Sequence, residues 1–540
     1  MADNHKPYIG ADIKLPETTI KAMMLGAFLS MVLCAANAYL GLFAGLTVSA
    51  SIPAAVISMA ALRLFKKHNI LENNIVQTAA SAGESLAAGV IFTFPALILM
   101  GYWSGFNYLE TMLISLCGGV LGVFFTVPLR SALIVRQKLK FPEGVATSEV
   151  LKSGEEGGKA IKFLVIGALV GAATKFIESG FQIWQGVFAK ATHLAEKAYL
   201  SFSINLSPAL IAVGYIVGLR IAVLVFAGGV ISWWIAIPIY VGINGNPQGL
   251  DAVTLGNGIW SSQIRFLGVG AMVVGGLWAL LSLKDAITMA FKEGTNAFKK
   301  SSAGIKVLRT EMDTPMSWVM IGIGALIVPI FIIYLREIEQ VSISGMMAIL
   351  MVVAGFLFAS VAGYMAGLVG SSNNPISGVT IATILTSALI LLALLGSGSE
   401  KGPAAAILIG SVVACAAAIA GDNMQDLKAG HILGATPKKQ QIMQMIGVIS
   451  AALVLPFVMD LLNTAYGFGP VSEAHPRALA APQATLMQSV AEGVFGGGLP
   501  WTMVYIGMAI GVLIILLDKI QEKRGSDFRI PVLAVAVGLY

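Results

Sequence analysis

The feature that most constrains this chain is the recurrence of apolar runs about 20 residues long, each enough to cross a hydrocarbon core of roughly 30 Å as a helix. They fall at approximately 20–40, 46–62, 72–101, 108–129, 160–180, 206–220, 222–241, 263–283, 317–335, 343–368, 376–396, 403–421, 439–463 and 500–518. A further run starts at Arg529 (RIPVLAVAVGLY) and is too short to cross at ~1.5 Å per residue, so it is expected to be an incomplete span or to lie in the interface. Backbone groups in lipid must be bonded within their own segment, so the expected fold class is all-α, a polytopic membrane helical bundle. Only 11% of residues are charged, against about a quarter in soluble domains. The 60 glycines suit helices that approach closely, and small-xxx-small pairs recur at Gly41/Gly45, Gly118/Gly122, Gly167/Gly171, Gly214/Gly218 and Gly363/Gly367.

With the N-terminus inside, the loops obey the positive-inside rule. Of the 34 Lys and Arg, only Lys190, Lys197, Arg336, Lys401 and Arg477 fall in outside loops, with Lys175 and Arg265 at span edges. This assignment splits 206–241 into two short spans around Arg220; a single tilted helix there would turn the basic loop 284–310 outward. The expected organisation is an N-terminal transmembrane half over 1–283, a cytoplasmic connecting loop at 284–316 and a C-terminal half over 317–540. No loop reaches the roughly 50 residues a soluble domain needs, so the function is expected to sit within the membrane. The first apolar run lacks a small-residue cleavage site and is not expected to be a signal peptide.

Within this apolar background, four stretches are polar in ways an anchor does not require. The stretch Asn73–Ala96 carries Gln77, Thr78, Ser81, Glu84 and Ser85 in its first half, with an expected helix break at Gly83. A carboxylate near hydrocarbon costs at least about 2.5–3.5 kcal/mol and is usually turned to a cavity or partner, which makes Glu84 a candidate for proton or substrate handling. The stretch 141–151 (FPEGVATSEVL) is expected to turn at Pro142 and Gly144 and continue as a short amphipathic helix carrying Glu149. The stretch 370–380 (GSSNNPISGVT) puts Asn373 and Asn374 before a proline and a helix, where Ser and Asn cap. The stretch 420–437 puts Asp422, Asn423, Gln425 and Asp426 at the end of an apolar run, and 481–498, with Glu492 as its one charge, is a related re-entrant candidate.

An internal echo links the halves: Ala80–Glu84 (ASAGE) resembles Ala418–Asp422 (AIAGD), and FPEGVATSEVL has a loose counterpart in APQATLMQSVAEGVF. Interrupted hydrophobic segments at corresponding places in two halves point to a transport site. The bland alternatives are a capping role for Glu84, a solvated-loop role for Glu149, Asp422 and Asp426, and simple turn geometry for Asn373-Asn374-Pro375. No built-in cofactor or metal is expected: the five histidines are scattered without ligand spacing, although His431 beside the acidic stretch could sense pH, and Cys34, Cys117 and Cys415 lie within apolar spans. The stretch 153–160 (SGEEGGKA) lacks the first Gly and the Ser/Thr of a P-loop, and no nucleophile elbow is found, so neither ATP drive nor enzymatic chemistry is expected.

The stretches ILENNIVQTAASAGESLAAGVIFTFPAL (70–97), FPEGVATSEVLKSG (141–154), NNPISGVT (373–380) and QDLKAGHILGATP (425–437) resemble signature stretches of the oligopeptide transporter family, in its prokaryotic branch. The resemblance implies a secondary transporter of about sixteen helices. It implies proton symport of peptides or, as in the yellow-stripe relatives, of metal chelates with nicotianamine or siderophores. It supplies no contact residues; those come from polarity and depth alone. The expectation is a proton-coupled importer of small oligopeptides working by alternating access in a bacterial inner membrane. Its partners would be protons, the small-molecule substrate and lipid, with no nucleic acid, and association into a homo-oligomer left open. Glu84 and Glu149 would carry protons, while Gln77, Ser81, Glu84, Asn373, Asn374, Asp422 and Gln425 would bind substrate. Broken helix ends near Gly83 and Asn374 would offer amide N–H groups to a substrate carboxylate. A channel, the rival from another class, would need repeated polar rings, which this asymmetric chain lacks.

Overall fold

The computed structural model of the chain describes residues 6–540, except 46, 156–158, 178–180, 182, 184–186, 195–197, 206–210, 212–213, 216–217, 247–248, 283–307, 373, 375, 470–477, 497 and 527. In chain order the helices are α1 (Ile20–Ala44), α2 (Ser51–Leu62), α3 (Ile70–Ile91), α4 (Phe94–Leu99), α5 (Tyr108–Arg130), α6 (Pro142–Glu155) and α7 (Lys159–Phe176). A β-hairpin follows, β1 (Val187–Leu194) and β2 (Ala198–Asn205), then α8 (Leu219–Val230), α9 (Ile237–Asn244), α10 (Ala252–Ile259) and α11 (Arg265–Ser282). The remainder is α12 (Met316–Ile338), α13 (Val341–Val369), α14 (Ile376–Leu395), α15 (Gly402–Leu433), α16 (Pro437–Tyr466), α17 (Pro482–Gly496), α18 (Trp501–Lys523) and α19 (Val532–Leu539). Among the described residues ten helices are long and apolar enough to cross a membrane, which makes this a polytopic helical membrane bundle.

The chain forms two compact units: residues 1–158 with 280–499, and residues 159–279 with 500–540. Contacts therefore group the chain differently from the halves 1–283 and 317–540. In the second unit β1 and β2 pair antiparallel from Val187↔Asn205 to Leu194↔Ala198. Tyr199 of this hairpin is buried with Ile237, Val241, Leu255 and Ile259 of α9 and α10. The Arg265 guanidinium stands 5.1 Å from the Trp260 ring and 5.4 Å from that of Tyr540. The spans read as 206–220 and 222–241 differ here: most of the first lies outside the described residues, and Arg220 sits in the first turn of an apolar stretch running Leu219–Asn244 through a π turn at 231–236.

At the centre of the first unit lie α3 and α15, whose apolar residues are Ala- and Gly-rich and hydrophobic all round, the pattern of helices enclosed by other helices. Helix α3 starts at a capping box: Asn69 Oδ1 accepts from Leu71 N (2.9 Å) and Glu72 N (3.2 Å), and Glu72 Oε2 accepts from Asn69 N. It then runs unbroken through Gly83, contrary to the expected break there. A Cβ at residue 83 would collide with Ser30, whose hydroxyl donates to the Gly447 carbonyl at 2.7 Å, so the glycine permits close approach of α1 and α16. Gly118 and Gly122 of α5 meet the Val412 and Ala416 carbonyls of α15 in the same way.

Two helical hairpins flank this central pair from opposite ends. Helix α1 and the loop into α3 share one end, where Thr19 Oγ1 donates to Glu72 Oε1 (2.6 Å) and Tyr8 N donates to the Ile432 carbonyl at the finish of α15 (2.9 Å). At the other end Tyr102, beyond α4, donates to Glu337 Oε2 (2.6 Å), and Lys401 pairs with Glu339 (2.7 Å), joining the starts of α13 and α15. Thus α3 and α15 are antiparallel, the α1–α2 hairpin rises from the first end and the α13–α14 hairpin from the second. Each turns at a glycine in the left-handed region, Gly45 (φ 73°) and Gly370 (φ 90°). The second hairpin of the apparent repeat is therefore inverted relative to the first. In the first hairpin α2 has only 12 residues, about 18 Å, too short for the membrane crossing read at 46–62.

Candidate functional site

The two hairpin tips meet. Ser49 N donates to Ser372 Oγ at 3.2 Å, and beside this contact lies a small cavity of ≈ 10 Å³, room for about one water. Its walls are Thr47 and Ser49 from one tip, Ser371, Ser372, Asn374 and Ile376 from the other, and Glu84, Ser85, Ala88, Ala418 and Asp422 from the central helices. The two sequence echoes, 80–84 and 418–422, thus arrive at one place. Helices α3 and α15 bring them there because Gly89 lets the Cys415 backbone approach; a Cβ at residue 89 would stand 2.5 Å from it.

Glu84 is buried, and both its oxygens are bonded. Asn37 Nδ2 donates to Oε1, and Ala50 N, at the start of α2, donates to Oε2 at 3.1 Å. A carboxylate at a helix N-terminus meets free N–H groups and the positive end of the helix dipole. On α15, Asp422 accepts from Ser85 Oγ, while its Oδ1 has no hydrogen-bond partner. One turn further on, buried Asp426 Oδ1 accepts from Gln77 Nε2 and from Ser51 Oγ (3.1 Å), and Ser51 Oγ lies 3.0 Å from Ser81 Oγ. Among the described residues none of these three acids forms an ion pair. Buried charge without a partner is expensive, so the group favours cations or protons.

The residues singled out from sequence separate into distinct places. Glu84, Asn374 and Asp422 line the cavity, and Asn374 Nδ2 donates to the Ala362 carbonyl (3.1 Å) while its Oδ1 is unpartnered. Gln77 and Ser81 stand one layer beneath, with Asp426. Gln425 does not reach the cavity: its Oε1 accepts from Gly144 N (2.8 Å) and its Nε2 donates to the Ala366 carbonyl (2.7 Å), tying α6 and α13 to α15. Glu149 is also apart, with its side chain 62% exposed and paired with Lys152 at 2.8 Å. Asn373 lies outside the described residues. The amide donors expected near Gly83 stand instead at the start of α2, while α14 does begin beside Asn374.

Sequence reasoning missed Glu143, Asn37 and Ser51. Glu143 is buried, accepts from Ser372 N (3.0 Å) and from Ser371 Oγ, and seats Gly370, where a Cβ would come within 2.6 Å of its Oε1. It stands in the stretch FPEGVATSEVL, directly after the turn signal Pro142.

Opposed helical hairpins that meet over a buried acidic cavity place a polar site at membrane depth in a multi-pass bundle, the arrangement of a transport site. A family model described as "OPT oligopeptide transporter protein" matches residues 17–540, and the chain belongs to that family. It is 36% identical over 527 residues to a Haemophilus influenzae protein named "Putative oligopeptide transporter", covering 93% of this chain and 82% of that protein. It is 24% identical over 493 residues to "Metal-nicotianamine transporter YSL3" of Arabidopsis thaliana, covering 83% of this chain and 72% of that one.

Proposed function

We propose that this transporter imports small oligopeptides by alternating access, drawing protons with them, from a bacterial inner membrane in which its N-terminus is cytoplasmic. The observation that carries the reading is Glu84 seated on the N-terminus of α2. That helix end is an anion site, and in this state the protein's own carboxylate fills it. A proton on Glu84 removes the charge that holds it there and frees the Ala50 N–H for the terminal carboxylate of a peptide. Asp422, with its unpartnered oxygen, and Asn374 then suit the ammonium and amide groups of the same molecule. Asn373 belongs to this contact set by its place beside Asn374. Gln77, Ser81 and Gln425 support it by holding Asp426, α2 and the hairpin tips. The name of the Haemophilus relative supports a peptide cargo.

A metal chelate is the second reading, favoured by the name of the Arabidopsis relative and by the acids, which would face the cationic groups of such a complex. The test is uptake into proteoliposomes of a panel of di- to tetrapeptides and metal chelates, with and without an inward proton gradient. Glu84→Gln keeps the shape and is expected to bind substrate yet lose gradient-driven accumulation. Unchanged acceleration by the gradient would remove Glu84 from coupling, and uptake of chelates alone would replace the peptide reading.

A further inference from the structure

The two hairpins are fastened by a matched pair of devices, and the correspondence extends to individual bonds. Helix α6 begins at Pro142 after Phe141 (φ 50°), and α17 begins at Pro482 after Ala481 (φ 41°). A positive φ at a non-glycine residue is strained and persists only where surrounding contacts fix it. Here the fixing contacts are the same. Phe141 N donates to the Gly367 carbonyl (3.0 Å), three residues before the turn glycine Gly370, and Ala481 N donates to the Leu42 carbonyl (2.9 Å), three residues before the turn glycine Gly45. The residue after each proline then grips the tip itself: Glu143 takes Ser371 Oγ and Ser372 N, and Gln483 Nε2 donates to the Gly45 carbonyl at 3.1 Å. Pro482 also stands 2.5 Å from where a Cβ at Gly45 would be, just as Glu143 crowds Gly370.

The pairing is crossed. Along its length α6 lies on α2, with Leu151 among Ala55 and Met59, and on the central α15, yet its first turn holds the tip of the α13–α14 hairpin. Helix α17 lies on α14, and its first turn holds the tip of the α1–α2 hairpin. We infer that α6 and α17 are the latches of the two gates, Glu143 holding the α13–α14 tip and Gln483 holding the α1–α2 tip, as positioning residues for transport. Each latch packs both on the hairpin opposite to the one it holds and on the central α15, so a hairpin that swings outward pulls on the other hairpin's latch. The latches differ in chemistry: Glu143 holds its tip through a carboxylate, Gln483 through a neutral amide. This inference rests on the alternating-access part of the proposed function and is independent of the cargo and of the coupling ion.

The test measures access rather than uptake, so failure of proton coupling leaves it readable. Thr47→Cys and Ile376→Cys each place a thiol in the cavity wall, one on each tip. Both are labelled with a membrane-impermeant maleimide from each face of oriented proteoliposomes, without substrate or gradient. Glu143→Ala is expected to raise labelling of the Ile376→Cys thiol several-fold from the face bearing Lys401, and to leave labelling of the Thr47→Cys thiol from the opposite face unchanged. Gln483→Ala is expected to do the reverse, and Glu143→Gln, which keeps an acceptor for Ser372 N, to restore much of the wild-type rate. Equal effects on both faces, or none in either variant, would overturn the assignment. Because Gln483 is a neutral, half-buried side chain whose removal leaves no buried charge behind, Gln483→Ala decides the question even if Glu143→Ala folds poorly.

Discussion

Glu84 and Asp422 occupy equivalent places in the two echoing stretches but are held differently, and the difference assigns their roles. Glu84 is satisfied on both oxygens by Asn37 and by the start of α2, whereas Asp422 keeps one oxygen free. Asn374 sits between them in kind, with its nitrogen spent on Ala362 and its oxygen unpartnered in the cavity wall. Replacing Asn374 by Ala removes one free acceptor worth about 0.5–1.5 kcal/mol, an expected weakening of substrate binding of roughly 2- to 13-fold, and also the bond to Ala362, an expected loss of about 0.5–1.5 kcal/mol of stability. Calorimetric affinity equal to wild type would reduce Asn374 to a turn former. At this scale the sequence identified which stretches matter better than which side chains do. Glu143 and Glu149 share one stretch, but six residues at 3.6 per turn place them on different faces, and only contacts with 371–372 select the first. Gln425 was legible as buried polarity, yet its two bonds to backbone are tertiary and invisible in the chain.

Helices here are organised by glycine faces more than by apolar stripes, as expected where lipid removes the hydrophobic difference between inside and outside. That explains why a glycine beside Glu84 misleads when read as a breaker. In water it would weaken a helix by roughly 1 kcal/mol relative to Ala; inside this bundle it is the point where α1, α3 and α16 touch. Gly89 does the same for α3 and α15, and its neighbour there is backbone, which cannot rotate away. Gly89→Val is therefore expected to separate the central pair, lowering stability by more than the 1–3 kcal/mol typical of overpacking, whereas Gly324→Val, where a Cβ meets nothing within 4 Å, should be neutral. Thermal unfolding in detergent of both variants checks this, and equal melting temperatures would show that α3 and α15 do not need the contact. The boundaries of α5 and α13 and the start of α3 were legible from apolar length; the end of α3 at Ile91, inside the apolar run read to 101, was not. The shortness of α2 and the meeting of the tips were not, because a hairpin that turns inside protein leaves the same apolar record as two crossings.

At the scale of the molecule, this ambiguity leaves the predicted orientation intact. An α1–α2 hairpin and two full crossings both return the chain to the side it left, and the same holds for α13–α14, so the parity of the intervening loops is the same in either architecture. The placement of Lys and Arg therefore still bears on the real fold: Lys66 and Lys67 follow α2, and Lys401 follows α14. The inverted relation of the two hairpins requires those loops to lie on opposite faces, since α3 runs away from the first and α15 from the second. Single cysteines at Lys67, at Lys401 and within the basic stretch 284–310 are expected to divide accordingly. The first and third should react with an impermeant thiol reagent only from the cytoplasmic face, and the second only from the opposite one. Labelling of Lys67→Cys and Lys401→Cys from one common face would contradict the inverted arrangement itself. Reaction of the 284–310 site from the outer face, with the other two as expected, would instead leave the hairpins standing and relocate only the connection between them.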